Sequence, residues 1–361
     1  MTRLDRAVLV TGLTIVLGSV AVAYGWYTWK TRESTRALRR KRKDQGNHEC
    51  EVLGDCSSLT MESESRWDDC VKNPGHLSFI PAKQFSLRHL PEALRSEEIL
   101  GLVQNVAART VRLRVNYTSL ARPEGFPFYH SRGERVLHTG SGWVRDIHAC
   151  YGPCRCRQCQ ATRTPHTQWW LVRVHTACHV VFDTAEARET SVDVFYDADK
   201  PGTGTEGART RMKTMQGLRV IVKNEDQDLC RFYCITHDQE LVNRLQRHMK
   251  QWEKQPTTLM GMANWQENHA PLCIVVSHPH GYSKQVTIGQ WTGHTEQNEI
   301  GECGLTYRTD TCTGSSGAPV ILPRRQSVNG HLVWTPTVFP HSGALSHGVN
   351  LSAIGGVFPS I

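Results

Sequence analysis

The stretch that decides the fold reads TDTCTGSSGAPV, from residue 309 to residue 320. Two adjacent serines, Ser315 and Ser316, stand between glycines in it, a composition that an ordinary loop also has. A nucleophilic serine requires a base within hydrogen-bond reach, an acid that orients this base, and donors for an oxyanion. The stretch therefore predicts a hydrolase only if the rest of the chain supplies these groups.

Short strand patterns surround this stretch on both sides. Alternating apolar segments separated by turn signals, such as TVRLRV at 110–115, run through the chain from about residue 109 and are typical of small antiparallel barrels or sandwiches. A helical pattern at 238–253 divides them, and another helix is predicted at 91–107. We expect a first barrel over about 109–237, a connecting helix over 238–254 and a second barrel over about 258–361.

Three residues of the types that make a catalytic triad lie at strand ends. His179 follows the apolar strand WWLVRV, Asp228 begins the strand pattern LCRFYCI, and Ser316 lies between two strands of the second half. The chain order His, Asp, Ser, with the first two in one half and the serine in the other, is that of the chymotrypsin-type double barrel. The sequence thus supplies a base, an acid and a nucleophile in a consistent order.

The motifs around these residues resemble those of trypsin-like serine proteases of the chymotrypsin fold. TACH at 176–179, DLC at 228–230 and TCTGSSGAPV at 311–320 resemble the family's three triad segments, and TGSGWV at 139–144 resembles a strand of its intracellular and bacterial members. The resemblance implies an all-β double six-stranded barrel over roughly 109–361. It also implies an oxyanion hole formed by the backbone N–H groups of Gly314 and Ser316.

Several residues depart from the secreted members of that family. Ser315 replaces the aspartate that pairs with a new N-terminus after zymogen cleavage, and no Ile-Val-Gly-Gly segment precedes the barrel. Val180 replaces the cysteine after the histidine, and no cysteine follows Cys312. We expect an enzyme that needs no activating cut and lacks the secreted disulfide pattern.

Two residues bear on the substrate pocket, and they favour opposite substrates. The resemblance places Asp310, six residues before Ser316, at a pocket base that would pair with substrate Lys or Arg; the alternative is a turn residue at a strand end. His341 lies on the strand expected to line the pocket wall, where a histidine favours acidic side chains.

Four cysteines lie close together between two predicted strands of the first barrel. They have the spacing C-x3-C-x-C-x2-C and are Cys150, Cys154, Cys156 and Cys159. Four thiolates suit one tetrahedral structural Zn²⁺, and a reduced, exposed cysteine-rich loop is the alternative. Catalysis by a serine triad requires no cofactor.

The N-terminal region carries the whole net charge. Residues 1–43 contain ten Lys or Arg against Asp5 and Glu33, which equals the net charge of +8, so a basic face for nucleic acid is not indicated. Residues 7–29 are uncharged, and 23 helical residues span ~34 Å, against ~30 Å for a bilayer core. We expect a transmembrane anchor over 1–29 and a basic, partly disordered linker over 30–90, followed by the protease domain over 91–361.

The eight basic residues after the apolar run place the protease domain in the cytoplasm by the positive-inside rule. The odd count of 13 cysteines fits a reducing compartment. A cleaved signal peptide and secretion are the alternative, since AVA at 21–23 has the form of a cleavage site. The sequence thus predicts a membrane-tethered serine endopeptidase acting on proteins or peptides; the alternative is an inert barrel that serves as an anchored binding module.

Overall fold

Sixteen strands and five α-helices make up the described part of the computed structural model, which covers residues 46–54, 59–197, 212–259, 272–295, 302–328, 331–345, 348–354 and 356–357. The strands are β1 (Glu51–Val52), β2 (Ile80–Pro81), β3 (Thr110–Val115), β4 (His138–Tyr151), β5 (Gln168–Thr176), β6 (Thr190–Val194), β7 (Lys213–Asn224), β8 (Leu229–Thr236), β9 (Leu272–Ser277), β10 (Gln285–His294), β11 (Glu302–Cys303), β12 (Leu305–Arg308), β13 (Pro319–Val328), β14 (His331–Ala344), β15 (Asn350–Ser352) and β16 (Gly356–Val357). The helices are α1 (Leu59–Asp68), α2 (Glu97–Arg109), α3 (Arg157–Gln160), α4 (Thr184–Arg188) and α5 (Gln239–Leu259).

The first barrel closes through six antiparallel strands. Its strand order is β4-β3-β6-β7-β8-β5, and β5 pairs back with β4. Side chains of β5 alternate between half-exposed and buried positions, with Val172 and Val174 completely buried. Closure of the sheet leaves no free edge within this barrel, because every strand is paired on both sides.

The second barrel repeats this plan with β9, β10 and β12 to β15. The order is β12-β15-β14-β13-β9-β10, and the pairing of β10 with β12 closes the ring. The prediction of an all-β chain with two six-stranded barrels is confirmed. Each sheet also gains one short additional strand: β1 pairs with β4, and β2 pairs with β10.

Helix α2 covers the junction between the barrels. Its first turn is capped by Ser96, whose hydroxyl accepts a hydrogen bond from the Ile99 amide at 3.2 Å. Leu102 and Val106 are completely buried and pack in one apolar cluster with strand residues such as Ile274. The helix therefore begins at Glu97 and not at Pro91, because Pro91 instead precedes a separate 3-10 turn.

The connecting helix α5 begins where the sequence predicts it. The side chain of Asp238 accepts a hydrogen bond from the Leu241 amide at 2.9 Å, and Leu241 and Leu245 are buried. Helix α5 extends to Leu259, five residues beyond the predicted end at 254.

Part of the segment interpreted as a linker is ordered against the barrels. Cys50, Val52 and Leu53 are completely buried, and helix α1 follows them. Residues 45–361 form one compact unit. The anchor prediction for residues 1–29 lies outside the described residues, and no helix within the described ranges is long and apolar enough to cross a membrane.

Candidate active site

His179, Asp228 and Ser316 converge where the two barrels meet. The His179 Nε2 atom lies 2.6 Å from the Ser316 hydroxyl, and its Nδ1 atom lies 2.8 Å from Asp228 Oδ2. The Asp228 carboxylate also accepts a hydrogen bond from the His179 backbone amide at 3.0 Å. The structure thus brings the three sequence-predicted residues into the geometry of a nucleophile, a base and an orienting acid.

Two glycines allow the Ser316 loop to pass between the barrels. Gly314 and Gly317 adopt positive φ of 96° and 81°. A Cβ atom at Gly317 would lie only 2.1 Å from the Thr176 hydroxyl, and one at Gly314 would lie 2.5 Å from the His278 carbonyl oxygen. The loop therefore requires glycine at both positions for conformation and for space.

The strand that carries the Gly-Ser-Gly motif holds the nucleophile loop from the first barrel. The Ser141 amide donates to the Ser316 carbonyl at 2.7 Å, and the Ser141 hydroxyl donates to the Gly314 carbonyl at 2.8 Å. These two bonds fix both ends of the three-residue segment 314–316.

Asp228 lies in the tight turn between β7 and β8 with a φ of 50°, a conformation that aspartate tolerates better than most residues. Its carboxylate also accepts a hydrogen bond from the Ser342 hydroxyl at 2.5 Å. This second donor comes from the other barrel, so both barrels hold the acid in place.

Burial lowers the pKa of His179 to about 4, although the charge and hydrogen bond of Asp228 act in the opposite direction. Burial raises the pKa of Asp228, but its interactions with His179, His48 and Ser342 together outweigh burial, and the pKa lies below its ordinary value. At neutral pH the acid is ionised and the imidazole is neutral, which is the state in which a base accepts a proton.

A segment of the same chain, residues 47–50, covers the triad. The Glu49 carbonyl oxygen accepts hydrogen bonds from the amides of Gly314 at 2.6 Å and Ser316 at 3.2 Å. The His48 ring stacks on the His179 ring with 4.0 Å between centroids. The two amides predicted to form an oxyanion hole therefore converge on one oxygen, which belongs to the protein itself.

The Glu49 side chain fills the pocket beside the triad. Its carboxylate accepts a hydrogen bond from His341 Nε2 at 2.7 Å and forms an ion pair with Lys72. The other ring nitrogen of His341 is hydrogen-bonded to the Tyr307 hydroxyl, and Lys72 also donates to Thr311. Burial raises the pKa of Glu49, but His341 and Lys72 together lower it to about 2.

Asp310, predicted at the base of this pocket, lies outside it. Its side chain is exposed and is hydrogen-bonded to Ser78. Asp310 lies beyond the end of β12 and faces the segment that precedes β2, so the structure does not support the expected pairing with a basic substrate side chain. His341, the second expected pocket residue, lies on β14 beside the Glu49 carboxylate.

The cysteine cluster includes a histidine that the sequence analysis missed. Cys154, Cys156 and Cys159 lie together with His237, and all four ligand atoms lie within 4.8 Å of one another. Cys150 is outside this group, because it belongs to β4 and its thiol contacts the His148 carbonyl oxygen at 3.9 Å. Cys150, expected as the fourth member of the group, thus lies outside it, and His237 lies in it instead.

The other residues that sequence reasoning missed come from distant parts of the chain. Glu49 and Lys72 belong to the segment interpreted as a linker, and His237 lies 78 residues after Cys159. Their local sequence carries no motif that points to the site. Only the buried hydrophobic residues next to Glu49, such as Val52 and Leu53, hint that this part of the segment is packed.

No protein-family model and no curated protein sequence matches the chain. Among solved structures, the active form of the Rv3671c protease from M. tuberculosis is similar over 74% of this chain and 83% of its own, with 15% identity and a TM-score of 0.36. The thermostable serine protease AL20 from an extremophilic microorganism is similar over 68% of this chain and 91% of its own, with 9% identity and a TM-score of 0.33. At identities and TM-scores this low, the likeness assigns no activity to the chain.

The burial of His179 predicts an unusual titration. In the Ser316→Ala variant, which keeps the covering segment, we expect the imidazole to stay neutral at pH 5.5 and to titrate near pH 4, because burial disfavours its charged form. Imidazole nitrogen shifts measured by NMR across pH 3–8 report this midpoint.

The matched control adds Gly343→Ala, because a Cβ atom there would lie 2.4 Å from the Asn47 carbonyl oxygen and would displace the covering segment. The midpoint should then rise, since water reaches the ring and Asp228 favours its charged form. A midpoint near the ordinary histidine value of about 6.5 in both variants would contradict the enclosure of the base.

Proposed function

We propose that this chain is a serine endopeptidase. The observation that carries the proposal is the line of hydrogen bonds from Asp228 through His179 to Ser316, next to two backbone amides that converge on one carbonyl oxygen. These are the four elements that acyl transfer by a serine requires: nucleophile, base, orienting acid and oxyanion donors.

In the proposed reaction, Ser316 attacks a peptide carbonyl carbon while His179 Nε2 takes the hydroxyl proton. The carbonyl oxygen becomes an oxyanion that the amides of Gly314 and Ser316 stabilise. His179 then donates the proton to the leaving amine, and a water molecule hydrolyses the acyl-enzyme by the same route. Asp228 holds the imidazole in the required tautomer and stabilises its transient charge.

The rival function, an inert barrel that binds a partner, predicts that one of these elements is misplaced. The described site has none out of place, and the distances from Ser316 to His179 and from His179 to Asp228 favour the enzyme.

A fluorophosphonate probe tests this proposal, provided that the covering segment is displaced. The double variant Glu49→Lys with Gly343→Ala removes the segment by charge repulsion from Lys72 and by a clash with Asn47. We expect mass spectrometry to find the probe on Ser316. Adding Asp228→Asn should slow labelling by about 10⁴-fold, because the imidazole then loses its productive tautomer.

Ser191→Ala, a partly exposed serine of β6, is the matched control and should leave labelling unchanged. Adding Ser316→Ala to the same background should abolish it. A folded double variant that the probe does not label at Ser316 would refute the enzyme and favour the inert module.

We also propose that the cluster around Cys154 holds a structural Zn²⁺. The His237 Nε2 atom lies 3.2 Å from Cys154 Sγ and 3.6 Å from Cys159 Sγ, close to the spacing of ligands around tetrahedral zinc. The Cys156 amide donates to Cys154 Sγ, and the Cys159 amide donates to Cys156 Sγ, so each backbone N–H group is aimed at a ligand atom. Four protein ligands leave no open position, so the role is structural.

For this zinc site we expect Cys154→Ser to lower the zinc content by about one ion per chain. It should also lower the melting temperature, because an ion that joins the loop after β4 and α3 to the link between β8 and α5 is lost. Cys150→Ser is the matched control and should retain the ion. Elemental analysis by plasma mass spectrometry measures both. Equal zinc contents in the two variants would refute the assignment.

Membrane attachment is the part of the proposal that the sequence alone supports. The uncharged run at 7–29 and the eight basic residues that follow it favour a single-pass anchor with the protease domain in the cytoplasm. Protein and peptide segments reaching that side are the expected substrates.

A further inference from the structure

Residues 47 and 48 pair with the edge of β14 through an isolated antiparallel bridge. The Asn47 carbonyl oxygen accepts a hydrogen bond from the Ala344 amide at 3.0 Å, and His48 forms an antiparallel bridge with Gly343. Pairing of this kind is how an extended peptide binds to a sheet edge. The segment therefore lies in the active site as an extended peptide and not as a plug of irregular shape.

The pairing continues on the other side of Glu49. Glu51 and Val52 form β1, which pairs with Thr139 and His138 of β4 in the first barrel. The chain thus enters along one barrel, crosses the triad at Glu49 and Cys50, and leaves along the other. A peptide held on both sides of the nucleophile has one bond, Glu49–Cys50, fixed at the reacting position.

The hydrogen bonds of Glu49 hold its backbone against the nucleophile and the two amides. The Glu49 carbonyl oxygen lies between the amides of Gly314 and Ser316, at 2.6 Å and 3.2 Å. The Ser316 hydroxyl lies 2.9 Å from the Glu49 backbone nitrogen and 2.6 Å from His179 Nε2. Holding the reacting groups in such contact is worth several orders of magnitude in rate for intramolecular reactions.

The pocket selects the residue on the amino side of the bond. The Glu49 carboxylate is buried between His341 and Lys72, and a buried carboxylate is stable only when such partners compensate for its lost hydration. The side chain of Asp310 does not reach this pocket. The chemistry of the pocket is therefore that of an acceptor for acidic side chains.

We propose that the protein cleaves its own chain between Glu49 and Cys50, and that its active site selects glutamate before the cut. This inference rests on the proposed endopeptidase function. Cleavage releases residues 1–49, which include the apolar N-terminal run, from residues 50–361, which retain the whole triad. The cut therefore separates the protease from the region proposed as its anchor.

The reaction uses only groups that are present and water. Ser316 Oγ forms a bond to the Glu49 carbonyl carbon and gives its proton to His179; the C–N bond to Cys50 breaks, and the new amine takes that proton. Water then attacks the ester, one of its protons returns through His179 to Ser316 Oγ, and the Glu49 carboxyl group is freed. The products are a C-terminal glutamate at residue 49 and an N-terminal cysteine at residue 50.

The test is synthesis of the full chain followed by intact mass and N-terminal sequencing. Wild type should yield a product that begins at Cys50, and Ser316→Ala should stay uncut. Glu49→Gln should slow cleavage by about 10- to 100-fold through loss of the charge-assisted bonds to His341 and Lys72, and Glu49→Lys should block it. Glu92→Gln, an exposed glutamate, is the matched control and should be cut like wild type.

The cleavage rate should not depend on protein concentration, because the bond is already bound within the molecule. A rate proportional to concentration, or a wild-type chain that stays intact, would overturn the proposal. Labelling of Ser316 in the Glu49→Lys, Gly343→Ala double variant separates failure of self-cleavage from failure of the endopeptidase proposal. If the wild-type chain stays intact but Ser316 of the double variant is labelled, only self-cleavage is refuted, and residues 47–50 are an inhibitory segment. An intact chain without labelling refutes the endopeptidase itself.

A second cluster of cysteine and histidine side chains includes Cys312 of the nucleophile loop. Cys70, His76, His280 and Cys312 place their ligand atoms within 4.8 Å of one another. Cys70 Sγ lies 3.6 Å from Cys312 Sγ, and Cys312 Sγ lies 3.5 Å from His76 Nε2. Tetrahedral zinc with ordinary bond lengths separates two sulfurs by ~3.8 Å and a sulfur from a nitrogen by ~3.6 Å.

His280 supplies an independent sign of a missing partner. Its ring is 95% buried, as its exposed fraction of 5% shows. Among the residues that the structure describes, its Nε2 atom has no hydrogen-bond partner of ordinary geometry, and the Cys70 and Cys312 thiols interact with this histidine. Its Nδ1 atom lies 2.9 Å from the Glu51 carboxylate, the arrangement in which a carboxylate orients a histidine that binds metal through its other nitrogen.

We infer that these four residues bind a second structural Zn²⁺. The ion would join the segment before the first barrel, through Cys70 and His76, to the loop of Ser316, through Cys312. Lys72 lies between the first two ligands, so the ion would also fix the cation that meets the Glu49 carboxylate. This inference does not depend on catalytic activity.

The zinc content of the purified full chain tests it. Cys70→Ser should lower the content by about one ion per chain relative to wild type, while Cys150→Ser should leave it unchanged. Because Cys70→Ser could unfold the chain, X-ray absorption on wild type gives a second readout. One Cys2His2 site and one Cys3His site together supply five sulfurs and three nitrogens to two ions, and the spectrum reports the mean per ion. One ion with three sulfurs and one nitrogen, or a Cys70–Cys312 disulfide found by peptide mapping, would overturn the inference.

Discussion

The hydrogen bond between His179 and Ser316, 2.6 Å long, joins the two barrels, and the site depends on it. His179 follows a strand of the first barrel, and Ser316 precedes a strand of the second, so neither barrel contains the site alone. The supports of this bond also cross the junction: Ser141 of the first barrel holds the nucleophile loop, and Ser342 of the second holds the Asp228 carboxylate. The precision of the site thus follows from how the barrels pack.

The same junction accommodates a segment of the chain itself. The segment pairs with β14 on one side of the nucleophile and with β4 on the other. At Glu49, the carbonyl oxygen accepts hydrogen bonds from two backbone amides and the carboxylate accepts one from His341. Because the segment is tethered, it competes with external substrates at a high effective concentration. Removal of residues 1–49 would therefore free residues 50–361 from the N-terminal region and open the proposed active site to other chains. Such an opening would be an activating cut, which the sequence analysis did not expect, because Glu49 occupies the two backbone amides of the site.

The sequence predicts the parts of the site that are local in the chain. The triad residues follow from motifs at strand ends, because an alternating strand and a glycine turn leave a recognisable pattern. The pocket and the two Cys/His clusters depend on residues brought together by tertiary packing. Glu49 contacts His341, 292 residues later, and Lys72 contacts Thr311, 239 residues later. His237 lies with the cysteines in place of Cys150. No local periodicity records such contacts. The sequence therefore could not decide whether Asp310 or His341 determines the charge of the side chain that the pocket accepts.

The most direct test of this account is a crystal structure of the full-length Ser316→Ala variant, in which the chain cannot be cut. The account predicts that the Glu49 carbonyl oxygen lies within hydrogen-bonding distance of the amides of residues 314 and 316, with its carboxylate on His341. A site filled by solvent, with residues 46–50 placed elsewhere on the protein, would contradict it.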